Sequence, residues 1–166
     1  YYSRSRADHA TEQQYEAEYV DYETLLASSD ILSIHIPSNN DTHHQINAQV
    51  LAKMKPGAVL INTARGPIVA EAALLKALRE RQIAGAALDV FEPEPLAADH
   101  PLRGLDNVIG TCHIGYVTGG SYDIYYGESV ENILAWMAGR PIRTLTPASR
   151  EVAYVSDQIN TTGEKQ

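Results

Sequence analysis

Arg65, Glu94 and His113 are the residues of this chain whose types could combine into one reaction. Arg65 follows an apolar run, Val59-Leu60-Ile61, that stops at Asn62-Thr63-Ala64 and gives way to Gly66-Pro67. A guanidinium in such a place matches a carboxylate through a planar fork and can polarise an adjacent carbonyl. His113, ahead of Ile114-Gly115, can supply or accept the proton exchanged between a carbonyl and an alcohol. Glu94, between Pro93 and Pro95, would raise the histidine's pKa and fix its tautomer if the two met. Asp89 ends another apolar run, where a carboxylate can hold an amide or ring edge. Each has a simpler reading alone: Arg65 as a surface arginine before a helix, His113 as a capped structural histidine, Glu94 as a solvated loop acid. Asp89 alone reads as a turn residue, and His35, on an apolar strand, as core.

The elements that must position these groups follow from periodicity. Tyr1-Tyr2 reads as the last residues of a strand, and Ser3 to Arg6 as the loop after it, so the chain looks cut from something longer. Ala7 to Glu18 is polar and predicts a short surface helix or loop. Asp21 caps a helix ending near Ser29, and Ile31 to Ile36 is a strand stopped by Pro37. Ser38 to Thr42 has turn chemistry, Asn47 caps a helix over roughly Ala48 to Lys55, and Pro56-Gly57 ends it. After the strand ending at Asn62 comes a helix from Val69 to Gln82, with Leu74, Leu75 and Leu78 on one stripe. Gly85 to Phe91 predicts another buried strand, Glu92 to Pro95 an extended loop, and Asn107 to Thr111 a further strand. A long helix from about Thr118 to Ala138 follows, and from Pro147 the apolar pattern fades.

Strands alternating with helices at this spacing predict an α/β fold, a parallel doubly wound sheet. Right-handed crossovers put the strand C-termini on one edge, so Ser3-Arg4, His35 to Pro37, Thr63 to Arg65, Asp89 to Glu94 and His113 should line it together. At 166 residues there is room for one core. A net charge of −8 without a basic cluster argues against a nucleic-acid groove. No apolar run approaches the roughly 20 residues of a membrane span. A single Cys112 and no signal-peptide pattern make a reducing, cytoplasmic setting the simplest expectation.

Asn62-Thr63-Ala64-Arg65-Gly66, Leu88-Asp89-Val90-Phe91-Glu92-Pro93-Glu94-Pro95 and His113-Ile114-Gly115 resemble, in order and spacing, the D-isomer-specific 2-hydroxyacid dehydrogenases. The resemblance covers about residues 1 to 147. It implies a partial Rossmann-like sheet, with residues 1–146 as the C-terminal portion of a dinucleotide-binding domain and 147–166 as a tail for an absent substrate domain. It puts the catalytic set on Arg65, Glu94 and His113. Cofactor contacts fall on Ser3, Arg4, His35, Pro37, Thr42, Thr63, Ala64, Arg65, Asp89, His113 and Gly115, and no metal ligand is assigned. The implied reaction is reversible hydride transfer between NAD or NADP and a 2-oxo acid such as glyoxylate or hydroxypyruvate, with a homodimer as the implied full-length state.

Three departures qualify that pattern. The sequence contains neither the family's first strand with its glycine-rich phosphate turn nor its N-terminal substrate domain, so the chain alone is expected to be a poor catalyst. Cys112 stands where a proline usually precedes the histidine. Ser3 with Arg4 and Arg6 replaces the aspartate that favours NAD, which tilts the expectation toward NADP. Two other functions stay open: a nucleotide-sensing dimerisation scaffold resembling the family's corepressors, and a formate dehydrogenase relative. Glu94 weighs against the last, since those enzymes typically carry glutamine there.

Overall fold

The computed structural model describes residues 1–145. The expected tail over 147–166 lies outside the described residues. The chain divides into two compact units, Tyr1–Gly115 and the part from Tyr116 onward. In the first, α1 (His9–Gln14) and α2 (Tyr22–Ser28) precede strand β1 (Ile31–Ile34). Then come α3 (Ala48–Leu51), β2 (Val59–Asn62), α4 (Glu71–Arg79), β3 (Gly85–Leu88) and β4 (Val108–Gly110). Single 3-10 turns at Gly66–Ile68 and Pro101–Gly104 replace further helices. The second unit holds α5 (Gly119–Met137), capped by Thr118, with Arg143 bonded back to Asn132 and Glu131.

All four strands are parallel and lie side by side in chain order, β1-β2-β3-β4, giving the expected Rossmann-like α/β sheet. The strands differ from the fully buried type expected of a doubly covered sheet. β1 alternates, with Leu32 and Ile34 buried while Ile31 is 64 % exposed, and β2 buries Leu60 and Asn62 while Val59 and Ile61 are half-buried. The core is therefore one-sided. It gathers Leu26, Leu32, Leu51, Leu60, Leu74, Leu78, Ile83 and Leu88, with α3 packed on α4.

The caps fell where the side chains placed them. Asp21 accepts from the Thr24 amide, and Asn47 accepts from the amides of Gln49 and Val50. Several ends are shorter than periodicity suggested: β1 stops at Ile34, α3 at Leu51, β3 at Leu88, and α4 covers Glu71–Arg79 only. In α4 the buried stripe is Leu74, Ala77 and Leu78, while Leu75 is only partly covered. Tyr1-Tyr2 is not a strand. The Tyr1 carbonyl accepts from Val20, and the Tyr1 amino group donates to Glu18, but no ladder continues from them.

What fixes that opening segment is charge. Arg6 donates twice to Glu12, each bond 2.8 Å, and the Tyr1 hydroxyl donates to the same carboxylate at 2.8 Å. Glu12 is 7 % exposed, and the bonds from Arg6, then Tyr1, hold its carboxyl down at about 2. A depressed carboxyl contributes stability above its unfolded pKa, and the contribution fades as pH falls through the folded value. Glu12→Gln is therefore expected to lower stability at neutral pH. The gap to the parent should close between about pH 4.5 and about 2, read from urea melts across that range.

Candidate active site

The turn that carries Arg65 is built by a buried amide. Asn62, 1 % exposed at the end of β2, accepts from the Ala64 N–H at 3.1 Å and donates to the Arg65 carbonyl at 2.9 Å. One side chain thus satisfies both ends of the turn, leaving Arg65 extended and exposed, with a guanidinium N–H on the Ala64 carbonyl. Along the sequence Asn62 stands out only as part of a motif. The signal for its role is a polar residue closing an apolar strand, where a buried amide needs partners.

His113 arrives from the end of β4 in a left-handed backbone conformation, φ 59°. Asp89, 6 % exposed just past β3, holds that conformation. Its Oδ1 accepts from the Thr111 hydroxyl at 2.5 Å and the Ile114 amide at 2.9 Å, and its Oδ2 accepts from the Gly115 amide at 2.9 Å. Two successive N–H groups converging on one carboxylate make a small anion nest. Burial pushes the Asp89 carboxyl up, but the bonds from Thr111, Gly115 and Ile114 together outweigh it, so the net shift is downward. A Cβ on Gly115 would stand 3.0 Å from Oδ2, so only glycine leaves this approach relaxed. The Asp89 carboxylate makes these three bonds within the chain, of roughly four that it can accept. Nothing in the sequence pattern singles out Thr111, whose role rests on this one bond to Asp89.

His113 and Glu94 meet: Nδ1 lies 2.9 Å from Oε2, and the other Glu94 oxygen accepts the Phe91 amide at 2.8 Å. The bond to His113 is the main cause that lowers the Glu94 carboxyl, with the Phe91 amide next and the charge of Arg65 adding to it. Arg65, Glu94 and His113 thus share one electrostatic neighbourhood. A groove of about 780 Å³ runs beside the pair, lined by Phe91, Leu102 and Cys112 among others. Cys112, exposed in the proline position, does not prevent the contact.

Of the other expected positions, Thr63 and Ala64 lie in the turn that Asn62 closes, and five gather elsewhere. Ser3, Arg4, His35, Pro37 and Thr42 line a second groove of about 580 Å³, whose lower walls include the apolar Leu25, Ile31 and Leu32. His35 is exposed rather than core, its Nε2 2.8 Å from the Ser33 hydroxyl. The Thr42 hydroxyl donates to the Pro37 carbonyl at 2.7 Å and so closes the 37–42 turn. Arg6 is committed to Glu12, whereas Arg4 is exposed and makes no ion pair among the described residues.

In open parallel α/β sheets ligands bind at the carboxyl ends of the strands, which is where Arg65, Glu94 and His113 are brought here. The chain belongs to the D-isomer specific 2-hydroxyacid dehydrogenase family, whose NAD binding domain matches residues 1–115. It is 44 % identical over 142 residues to the glyoxylate/hydroxypyruvate reductase B of Enterobacter agglomerans, covering 84 % of this chain and 43 % of that protein. The holo form of D-mandelate dehydrogenase from Rhodotorula graminis superposes with a TM-score of 0.78 at 37 % identity, over 87 % of this chain and 42 % of that one. A formate dehydrogenase from Granulicella superposes with a TM-score of 0.81 at 35 % identity, over 86 % and 38 %. The chain spans less than half the length of these relatives. The family's cofactor is NAD(P). Ser3, Arg4, His35 and Thr42 bring polar groups to a groove open to a ligand, while a glycine-rich turn for a pyrophosphate is not in the sequence. Among the described residues, no helix is long and apolar enough to cross a membrane.

Asp89→Asn tests the nest. In either amide orientation one backbone N–H would face a donor instead of an acceptor, which costs about 2 kcal/mol of stability. Urea denaturation of the two proteins reads that difference directly.

Proposed function

We propose that the chain is the nucleotide-binding part of an NAD(P)-dependent oxidoreductase that interconverts 2-hydroxy and 2-oxo acids, glyoxylate and hydroxypyruvate among them. The observation that carries this reading is the 2.9 Å contact between His113 Nδ1 and Glu94 Oε2. Nicotinamide, when bound, supplies or takes the hydride. Arg65 receives the substrate carboxylate in its fork and draws electron density from the adjacent carbonyl. With Nδ1 held by Glu94, the proton exchanged with the substrate oxygen is carried on Nε2 of His113. Glu94 stabilises the imidazolium and fixes the ring. It also disfavours the formate reading, because formate has no hydroxyl proton to exchange.

Ser3 and Arg4 support NADP, with the hydroxyl and guanidinium beside the ribose 2′-phosphate. Arg6 drops out of that role through its bonds to Glu12. The full-length protein is proposed to be a homodimer, as the family resemblance implies, and the exposed thiol of Cys112 suits a reducing, cytoplasmic compartment.

In the full-length protein, His113→Ala should lower kcat for glyoxylate by about 10²- to 10⁴-fold. Arg65→Ala should lower kcat/KM with a rise in KM. Both are followed by nicotinamide absorbance, and undiminished turnover in the histidine variant would end the proposal. Independently, Ser3→Asp combined with Arg4→Ala should swing cofactor preference toward NAD by roughly 10- to 100-fold, the worth of one charge-assisted bond. Steady-state kinetics with each cofactor measures it.

A further inference from the structure

We propose that His43, His44 and Glu92 form a binding site for a late first-row divalent metal ion such as Zn²⁺ or Ni²⁺. One ligand atom from each lies within 4.8 Å of the other two. His44 Nε2 is 3.7 Å from Glu92 Oε2, and the two imidazoles stack with centroids 3.8 Å apart. Donors about 2.1 Å from a tetrahedral ion are about 3.4 Å apart, so one pair is already near that spacing. All three side chains are exposed and can rotate to close the rest. Two imidazoles and a carboxylate suit zinc and nickel, and three protein donors leave a coordination position for water.

The backbone beneath these groups is fixed rather than loose. His44 holds a left-handed conformation, φ 52°, and its N–H donates to the Pro67 carbonyl at 2.8 Å. Upstream, the Asn39 side chain accepts from the amides of Asp41 and Thr42. Downstream, Ile46 is buried and bridges Val69. On the other side Glu92 follows Phe91, whose carbonyl sits so close to Gly66 that a Cβ there would lie 2.0 Å away. The donors therefore come from two anchored loops, far apart in sequence, which is why no ligand spacing could be read along the chain. The net charge of −8 favours any cation near it. A bound ion would tie the 39–45 loop to the loop carrying Glu94, two residues beyond Glu92.

The test is calorimetric titration of ZnCl₂ and NiCl₂ into the full 166-residue chain after chelator treatment. The proposal expects one saturable site, weakened about tenfold or more by His44→Ala and by Glu92→Gln, since each removes a donor. Cys112→Ser should leave binding unchanged, which separates the site from the neighbouring Cys112-His113 pair. Ni²⁺ should also broaden the imidazole NMR signals of His43 and His44 and raise the melting temperature of the parent but not of His44→Ala. Absence of saturable binding, or affinity indifferent to both donor substitutions, would overturn it.

Discussion

The backbone of Phe91 lies against Gly66 so closely that no side chain could stand between them. Two loops that leave different strands, β2 and β3, are thereby pressed together at the carboxyl edge of the sheet. Arg65 immediately precedes the first contact point, and Glu92 and Glu94 follow the second. The approach needs glycine because a Cβ would occupy the volume of a carbonyl, and protein interiors relax such overlaps only by moving backbone. That close contact brings the chain segments carrying Arg65 and Glu94 side by side. The charges it concentrates are then arranged by hydrogen bonds already fixed to the sheet.

The same edge uses buried polar side chains as braces. Asn62 closes the arginine turn and Asp89 closes the histidine turn, and each sits just where a β-strand gives out and its backbone groups lose their ladder partners. A strand end leaves N–H groups that need acceptors, and a buried amide or carboxylate supplies them with fixed geometry. Charged groups on the outer surface can then remain exposed to a ligand without being loose. His113 is held by its own main chain as much as by Glu94.

Much of this was visible along the chain. The alternation of apolar runs with amphipathic segments carried the parallel α/β fold. The capping roles of Asp21 and Asn47 follow from side-chain chemistry just ahead of each helix, whereas Thr118, which the pattern puts inside the last helix, turns out to cap it. Strand lengths were overestimated at Ile36 and Phe91, because apolar character continues past the last ladder bond to cover the core from a loop. Apolar neighbours suggest a core place for His35, yet the outward alternation of Ile31 and Ser33 continues to it just past the end of β1. Arg4 and Arg6 looked equivalent until α1 brought Glu12 to one of them.

Residue order alone dictates which chemical groups are present and the sheet edge on which they must fall, since local periodicity and crossover handedness act over short stretches of chain. Tertiary structure alone decided which of them touch. The contact of Glu94 with His113, the nest that Asp89 makes for Ile114 and Gly115, and the approach of Glu92 to His44 each join segments separated by many residues. Such contacts depend on how loops end and pack to within an ångström, and a pattern along one chain carries no measure of that distance.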